Sequence, residues 1–220
     1  MEVFNLKNPS LEFQLTAAVS CFSQAAKLHE DQGREQLAAG LYLELADAYK
    51  RMKRPVEALP YYQRAVTLSK NHPVELIRAQ LMVASCYIAT PDHHNALLVL
   101  SEVASIASDH EPLYDDVQEN VEILRVLLLM IIEPSKHNTS PHLISVLEKY
   151  RVTEEGYDPD SKVSPYISVE VSILLQSLVI AVDNLEIDSV LYCEDQLVTL
   201  LTDQQNSLLR TLVKQTQRKV

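Results

Sequence analysis

The stretch LADAYKRMKRPVEALPYYQRA, residues 45–65, sets Ala46, Tyr49, Ala58, Tyr62 and Ala65 at successive offsets of three, nine, four and three. Residues three or four apart share one face of a helix, so each group of these positions forms a short stripe. Alanines in such stripes let two helices approach closely, while aromatics fill the space beside them. Pro55 stands between the groups, where the first turn of a new helix has no amide partner to lose. The stretch reads as two helices joined by a turn at KRMKR, residues 50–54.

The same five positions match, in register, the pattern of the tetratricopeptide repeat, a pair of antiparallel helices of about 34 residues. A single match in an Ala-rich chain decides little, so recurrence is the test. Downstream, Ala84, Tyr87 and Ala96 repeat the pattern, with Leu100 and Val103 replacing the second aromatic and the last alanine. Upstream, Ala18, Phe22 and Ala25 repeat its second-helix half. Ala18, Ala58 and Ala96 are 40 and 38 residues apart, so the units are longer than the standard repeat. One half unit and two full units fill residues 1–110. A second helix at the start lacks a first helix to lean on, as expected of a piece of a longer chain or of a helix that packs on a partner.

Apolar residues at three- and four-residue steps predict ten helices, near 9–31, 35–52, 55–70, 73–89, 92–108, 113–133, 141–150, 165–183, 186–201 and 203–217. Only three glycines interrupt them. The fold class is all-α, a tetratricopeptide-like α-solenoid of antiparallel helical hairpins. Residues 111–220 continue it with atypical hairpins and a cap. NVEILRVLLLMIIEP (120–134) is apolar on all sides and predicts a central, enclosed helix. YISVEVSILLQSLVIAV (166–182) reads as a second buried helix, since Glu170 and Gln176 argue against a membrane span. Thr202 to Gln205 has the form of a capping box and fixes the start of the last helix. SKHNTS (135–140) reads as an exposed connection, and the acidic, non-periodic 152–165 as a mobile surface loop.

The net charge of −11 opposes nonspecific binding of the whole molecule to phosphate backbones and anionic lipid heads, so nucleic acid is not an expected partner although a local basic patch stays open. The apolar windows, one too short and one carrying Glu170 and Gln176, predict no membrane insertion. Cys21, Cys86 and Cys193 are odd in number and widely spaced, and MEVFNLKNPS is not a secretory leader. Reduced thiols in the cytoplasm or nucleus are expected. His93-His94 point about 100° apart on a helix and share a metal poorly. His29, His72, His110, His137 and His142 show no ligand spacing. Asp115-Asp116 and Glu154-Glu155 lack the apolar surroundings that would tune them for acid–base work. With no phosphate-binding Gly loop and no nucleophile elbow, the chain is expected to be no enzyme and to need no cofactor or metal. KRMKR reads as solvated charge at a helix C-terminus.

VEILRVLLLMIIEP (121–134), VLEKY (146–150), LLQSLVIA (174–181) and LLTDQQNSLL (200–209), in this order and spacing, resemble the C-terminal region of the 40-kDa huntingtin-associated protein family. CFSQAAKLHE (21–30), LYLELADAY (41–49), EALPYYQRA (57–65) and VASCYIA (83–89) are similar to that family's repeat helices. The resemblance implies a non-enzymatic α-solenoid clasped by apolar contacts between the helical-repeat domains of huntingtin. It also implies a link to the small GTPase Rab5 on early endosomes, and a cytoplasmic, endosome-associated and nuclear distribution. Two features depart from the family: its N-terminal helices are missing, and SDHEPLYDD (108–116) stands where the mammalian protein has a long Pro-rich segment. The alternative is a generic tetratricopeptide adaptor for short peptides. Binders of peptide carboxylates need cations along the first helices, and LYLELADAY has none.

Overall fold

The structure, a computed structural model, describes residues 9–133, 141–151 and 164–220, with the side chains of 9–15 and 141 left aside. The connection at 135–140 and nearly all of the predicted loop at 152–165 lie outside these residues. The described residues form ten α-helices and no strand. The chain divides into two compact units, Met1–Pro91 and Asp92–Val220. The sequence pattern changes character later, near residue 110.

The first unit holds α1 (Pro9–Asp31), α2 (Glu35–Arg51), α3 (Pro55–Leu68) and α4 (Pro73–Ala89), each packed on the next. Pro55 and Pro73 occupy first-turn positions as their chemistry suggests. The turns are made by the backbone. After α1, Gly33 adopts φ +70, its N–H donating to Glu30 O at 2.8 Å and that of Arg34 to His29 O at 2.9 Å. After α2, Lys53 takes φ +59 and the same two bonds recur, Lys53 N to Lys50 O and Arg54 N to Tyr49 O. A left-handed residue of this kind satisfies carbonyls that the helix end would otherwise leave open. Ala38, Ala46, Ala58, Tyr62 and Ala65 have no exposed surface, and α2 and α3 are closely packed.

The second unit holds α5 (His93–Ser108), α6 (Asp115–Ile132), α7 (Pro141–Glu148), α8 (Val169–Asp183), α9 (Ile187–Leu197) and α10 (Asp203–Gln217). Every residue of α6 from Val121 to Ile131 is buried, and α5, α7 and α10 all pack on it. The helix predicted to be central is so. Gln118 of this helix is held by α5: its Nε2 donates to Ala104 O and Ser108 Oγ, both at 2.9 Å. The last-turn carbonyl of Ile131 accepts from Gln215 Nε2 at 3.0 Å. Before α10 the Thr202–Gln205 capping box is present in both directions.

Two ends differ from the sequence reading by four residues, each for a local reason. α8 begins at Val169 rather than 165 because Ser168, in extended geometry, caps Val171 N at 3.3 Å. α9 stops at Leu197 rather than 201, since the chain must turn before the Thr202 cap. α8 is also less enclosed than its apolar sequence suggests: Val169 and Ile173 are more than half exposed.

Lys53 bears a conformation that costs an L-residue about 1 kcal/mol or more, and Gly33 bears it without that cost. A Cβ at Gly33 would meet nothing within 4 Å, so only the backbone responds there. Urea denaturation is expected to show Lys53→Gly more stable by about 0.5–1 kcal/mol and Gly33→Ala less stable by about 1 kcal/mol. Thr202→Ala is expected to cost about 1 kcal/mol in the same measurement.

Candidate partner interface

The α2–α3 pair shows what the repeat spacing achieves. The Tyr62 ring is fully buried and its hydroxyl donates to the Asp47 carboxylate one helix away. Burial, and then that carboxylate, push the phenol well above its ordinary range, so it stays a donor. Tyr49 takes another course: it is half-buried and stacks on Tyr61, with centroids 5.7 Å apart and planes 8° from parallel. Tyr61 also meets Tyr42 at 6.4 Å, and Arg54 covers Tyr49 at 5.6 Å from its centroid. Arg64 grips Glu30 through Nε at 2.8 Å and Nη2 at 2.5 Å, tying α3 back to α1.

Of the residues singled out by spacing, Ala46, Tyr49, Ala58, Tyr62 and Ala65 come together on α2 and α3. Ala84 and Ala96 are buried in their own units, and Tyr87 is half-buried, its hydroxyl accepting from Gln63 Nε2 at 3.1 Å. On α1 the pattern falls differently. Ala18 and Phe22 are exposed and Ala25 is half-buried, while the neighbouring Ala26 is the one with no exposed surface. Asp47, Tyr61, Tyr42 and the Glu30–Arg64 pair were not singled out from the sequence. Tyr42 stands seven residues before Tyr49, the one visible hint of the aromatic column.

Chemistry does not converge anywhere among the described residues. His93 is partly buried, which lowers its basicity, but His94 points outward and they share no partner. No group of His, Cys, Asp and Glu among the described residues has the arrangement of a metal site. Cys86 and Cys193 are buried, which pushes their thiols up and away from nucleophilic use, whereas Cys21 is exposed. Of KRMKR, Arg54 is bonded to Glu57 at 2.8 Å and Lys50 approaches Met82 Sδ at 3.6 Å. Asp115 and Asp116 lie exposed at the first turn of α6, where the helix dipole favours carboxylates.

Two polar features of the second unit have structural duties. Glu122, buried in α6, accepts from Tyr150 O–H at 2.8 Å and Ser164 O–H at 2.7 Å, joining three segments. One turn on, burial pushes the Arg125 guanidinium below its ordinary value, against the attraction of Glu122. A cleft of about 510 Å³ opens beside Leu129, Ile144, Leu147 and Val182. The charges at its mouth are already paired, Arg151 with Glu148 and Asp183, and Lys219 with Glu133.

Helix pairs stacked through small residues, with large apolar side chains left outward, define a tetratricopeptide-like helical-repeat protein. The tetratricopeptide repeat family model matches residues 39–72, the segment that contains Ala46, Tyr49, Ala58, Tyr62 and Ala65. Over nearly its whole length the chain is similar to the 40-kDa huntingtin-associated protein of Rattus norvegicus, 27% identical over 258 aligned positions that cover 92% of this chain and 67% of the relative. The 40-kDa huntingtin-associated protein of Mus musculus is 26% identical with the same coverage. The resemblance read from the sequence is to this same protein. The aligned positions outnumber the 220 residues of this chain, so the relatives carry stretches without a counterpart here. No described helix is long and apolar enough to cross a membrane.

The Arg64 hydrogen bond, the largest influence, holds the Glu30 carboxyl below its ordinary value. Such a group contributes stability above its unfolded value of 4.5 and loses it as pH falls through the lower folded one. The melting temperature of Glu30→Gln is expected below that of the wild type at neutral pH, the two converging as pH falls below that value. Tyr150→Phe removes a donor from the buried Glu122 carboxylate and is expected to destabilise by about 1–3 kcal/mol in urea titration.

Proposed function

We propose that this chain is a non-enzymatic scaffold that binds huntingtin, held between its helical-repeat domains mainly by apolar contacts. The observation that carries this reading is the similarity, along 92% of the chain, to proteins named for their association with huntingtin. The surface supports it, since large apolar residues face outward in both units, among them Leu28, Leu37 and Val56 in the first and Leu113 and Ile173 in the second. Outward apolar residues that gather into a contiguous patch mark a binding face.

A large apolar interface also makes the bound form the stable one, because a partner that binds only the folded chain draws the equilibrium toward it. The link to Rab5 on early endosomes, and a cytoplasmic and nuclear distribution, form the outer part of the proposal. The peptide-adaptor alternative has less support: from Leu41 to Tyr49 α2 carries no cation, and the next one, Lys50, lies against Met82.

Coexpression with huntingtin is expected to raise the soluble yield of this chain several-fold and to give an equimolar complex on size exclusion. Migration of the two as separate species at micromolar concentration would overturn the reading. For the outer part, GTP-loaded Rab5 is expected to be retained by the immobilised complex and GDP-loaded Rab5 to pass through.

A further inference from the structure

We propose that the outer face of the α8–α9 hairpin docks an amphipathic helix of a partner protein, one whose apolar ridge is flanked by Lys and Arg. On α8, Val169, Ile173 and Ile180 are 57, 56 and 41% exposed. At 100° per residue these three and the exposed Ser177 fall within about 80° of one another, so they form one continuous stripe. The opposite side, with Val171, Leu175, Leu178 and Val179, is buried. Across the hairpin, Leu191 and Tyr192 of α9 are also exposed, at 40 and 65%, and Leu191 lies at about the height of Ile180. A helix needs such a stripe only if something covers it.

The charge around the stripe says what covers it. From Ser164 through Leu209 there is no Lys, Arg or His, whereas seven carboxylates occur: Glu170, Asp183, Glu186, Asp188, Glu194, Asp195 and Asp203. Asp183 is paired with Arg151, and none of the other six has a basic partner among the described residues. Glu170 and Asp183 fall on the two edges of the α8 stripe by the same helical geometry. A second copy of this chain would bring one set of carboxylates against another, so self-association opposes itself. A basic-edged helix satisfies both parts of the surface, its ridge on Ile173 and its cations on the rim, as in other helix-on-helix recognition.

The inference deepens the huntingtin reading and rests on it only for the identity of the partner. Two probes are used on the full chain fused to a soluble carrier: a fluorescein-labelled synthetic helix with a Leu ridge and Lys edges, and its twin with Glu in place of each Lys. By anisotropy the Lys helix is expected to bind about tenfold or more tightly than its twin, with affinity falling as salt rises. Ile173→Asp, and separately the pair Asp188→Lys and Asp195→Lys, are expected to weaken it by about tenfold, while Leu98→Asp on α5 leaves it unchanged. All these positions are exposed, so unchanged helix content and melting temperature verify the fold. Equal binding by the twins, or by wild type and Ile173→Asp, overturns the proposal. In parallel, huntingtin is coexpressed with wild type and Ile173→Asp. Loss of huntingtin with the variant supports both readings. Capture by both chains, with no preference for the Lys helix, overturns this surface and leaves the huntingtin reading standing. Binding of the Lys helix without capture of huntingtin does the reverse.

Discussion

Close approach of α2 and α3 is the constraint on which the first unit depends. Ala46, Ala58 and Ala65 end at Cβ, and any longer side chain at these fully enclosed positions would force the helices apart. Because they come so close, Tyr62 is sealed from water and its hydroxyl must find an acceptor inside the protein, which Asp47 supplies. The aromatic column of Tyr42, Tyr61 and Tyr49 then lies along the edge of the seam, half-buried, with Arg54 at its end. Sequence spacing becomes helix distance, and helix distance fixes which polar groups must pair.

The second unit solves a different packing problem. From Val121 to Ile131 α6 is buried around its whole circumference, so the polar residues there cannot be turned to solvent as on an ordinary surface helix. Gln118 and Glu122 are satisfied by side chains and carbonyls of other segments, and these bonds fix α6 relative to α5 and to Tyr150 and Ser164. A hydrophobic helix could slide or rotate among equivalent packings. Buried polar partners at defined positions remove that freedom.

Much of the helical framework was legible because its signals are local. Pro55, Pro73 and Pro141 each stand at a first turn, and Thr202 with Gln205 closes a capping box. The face that α1 presents was harder to read. Alanines stand at both 25 and 26, and a one-residue difference rotates the contact by about 100°, so the repeat pattern marks the stripe without fixing its phase. Tyr61 and Tyr62 pose the same difficulty, and tertiary packing sends one to the seam and the other to the stack. Outward apolar residues were least legible of all. Ile173 is exposed and Leu175 buried on the same helix, yet hydropathy scores them alike. Only the position of neighbouring helices separates a core residue from one left for a partner.

The stretch without Lys or Arg around α8 and α9 has a practical side as well. Trypsin cuts after those two residues, and between Lys162 and Arg210 it finds no site. Both helices and the turn at Leu185 therefore leave a digest as a single long fragment. Any covalent tag placed on that hairpin in its native state is carried by one peptide, whose mass alone reports whether the surface was covered.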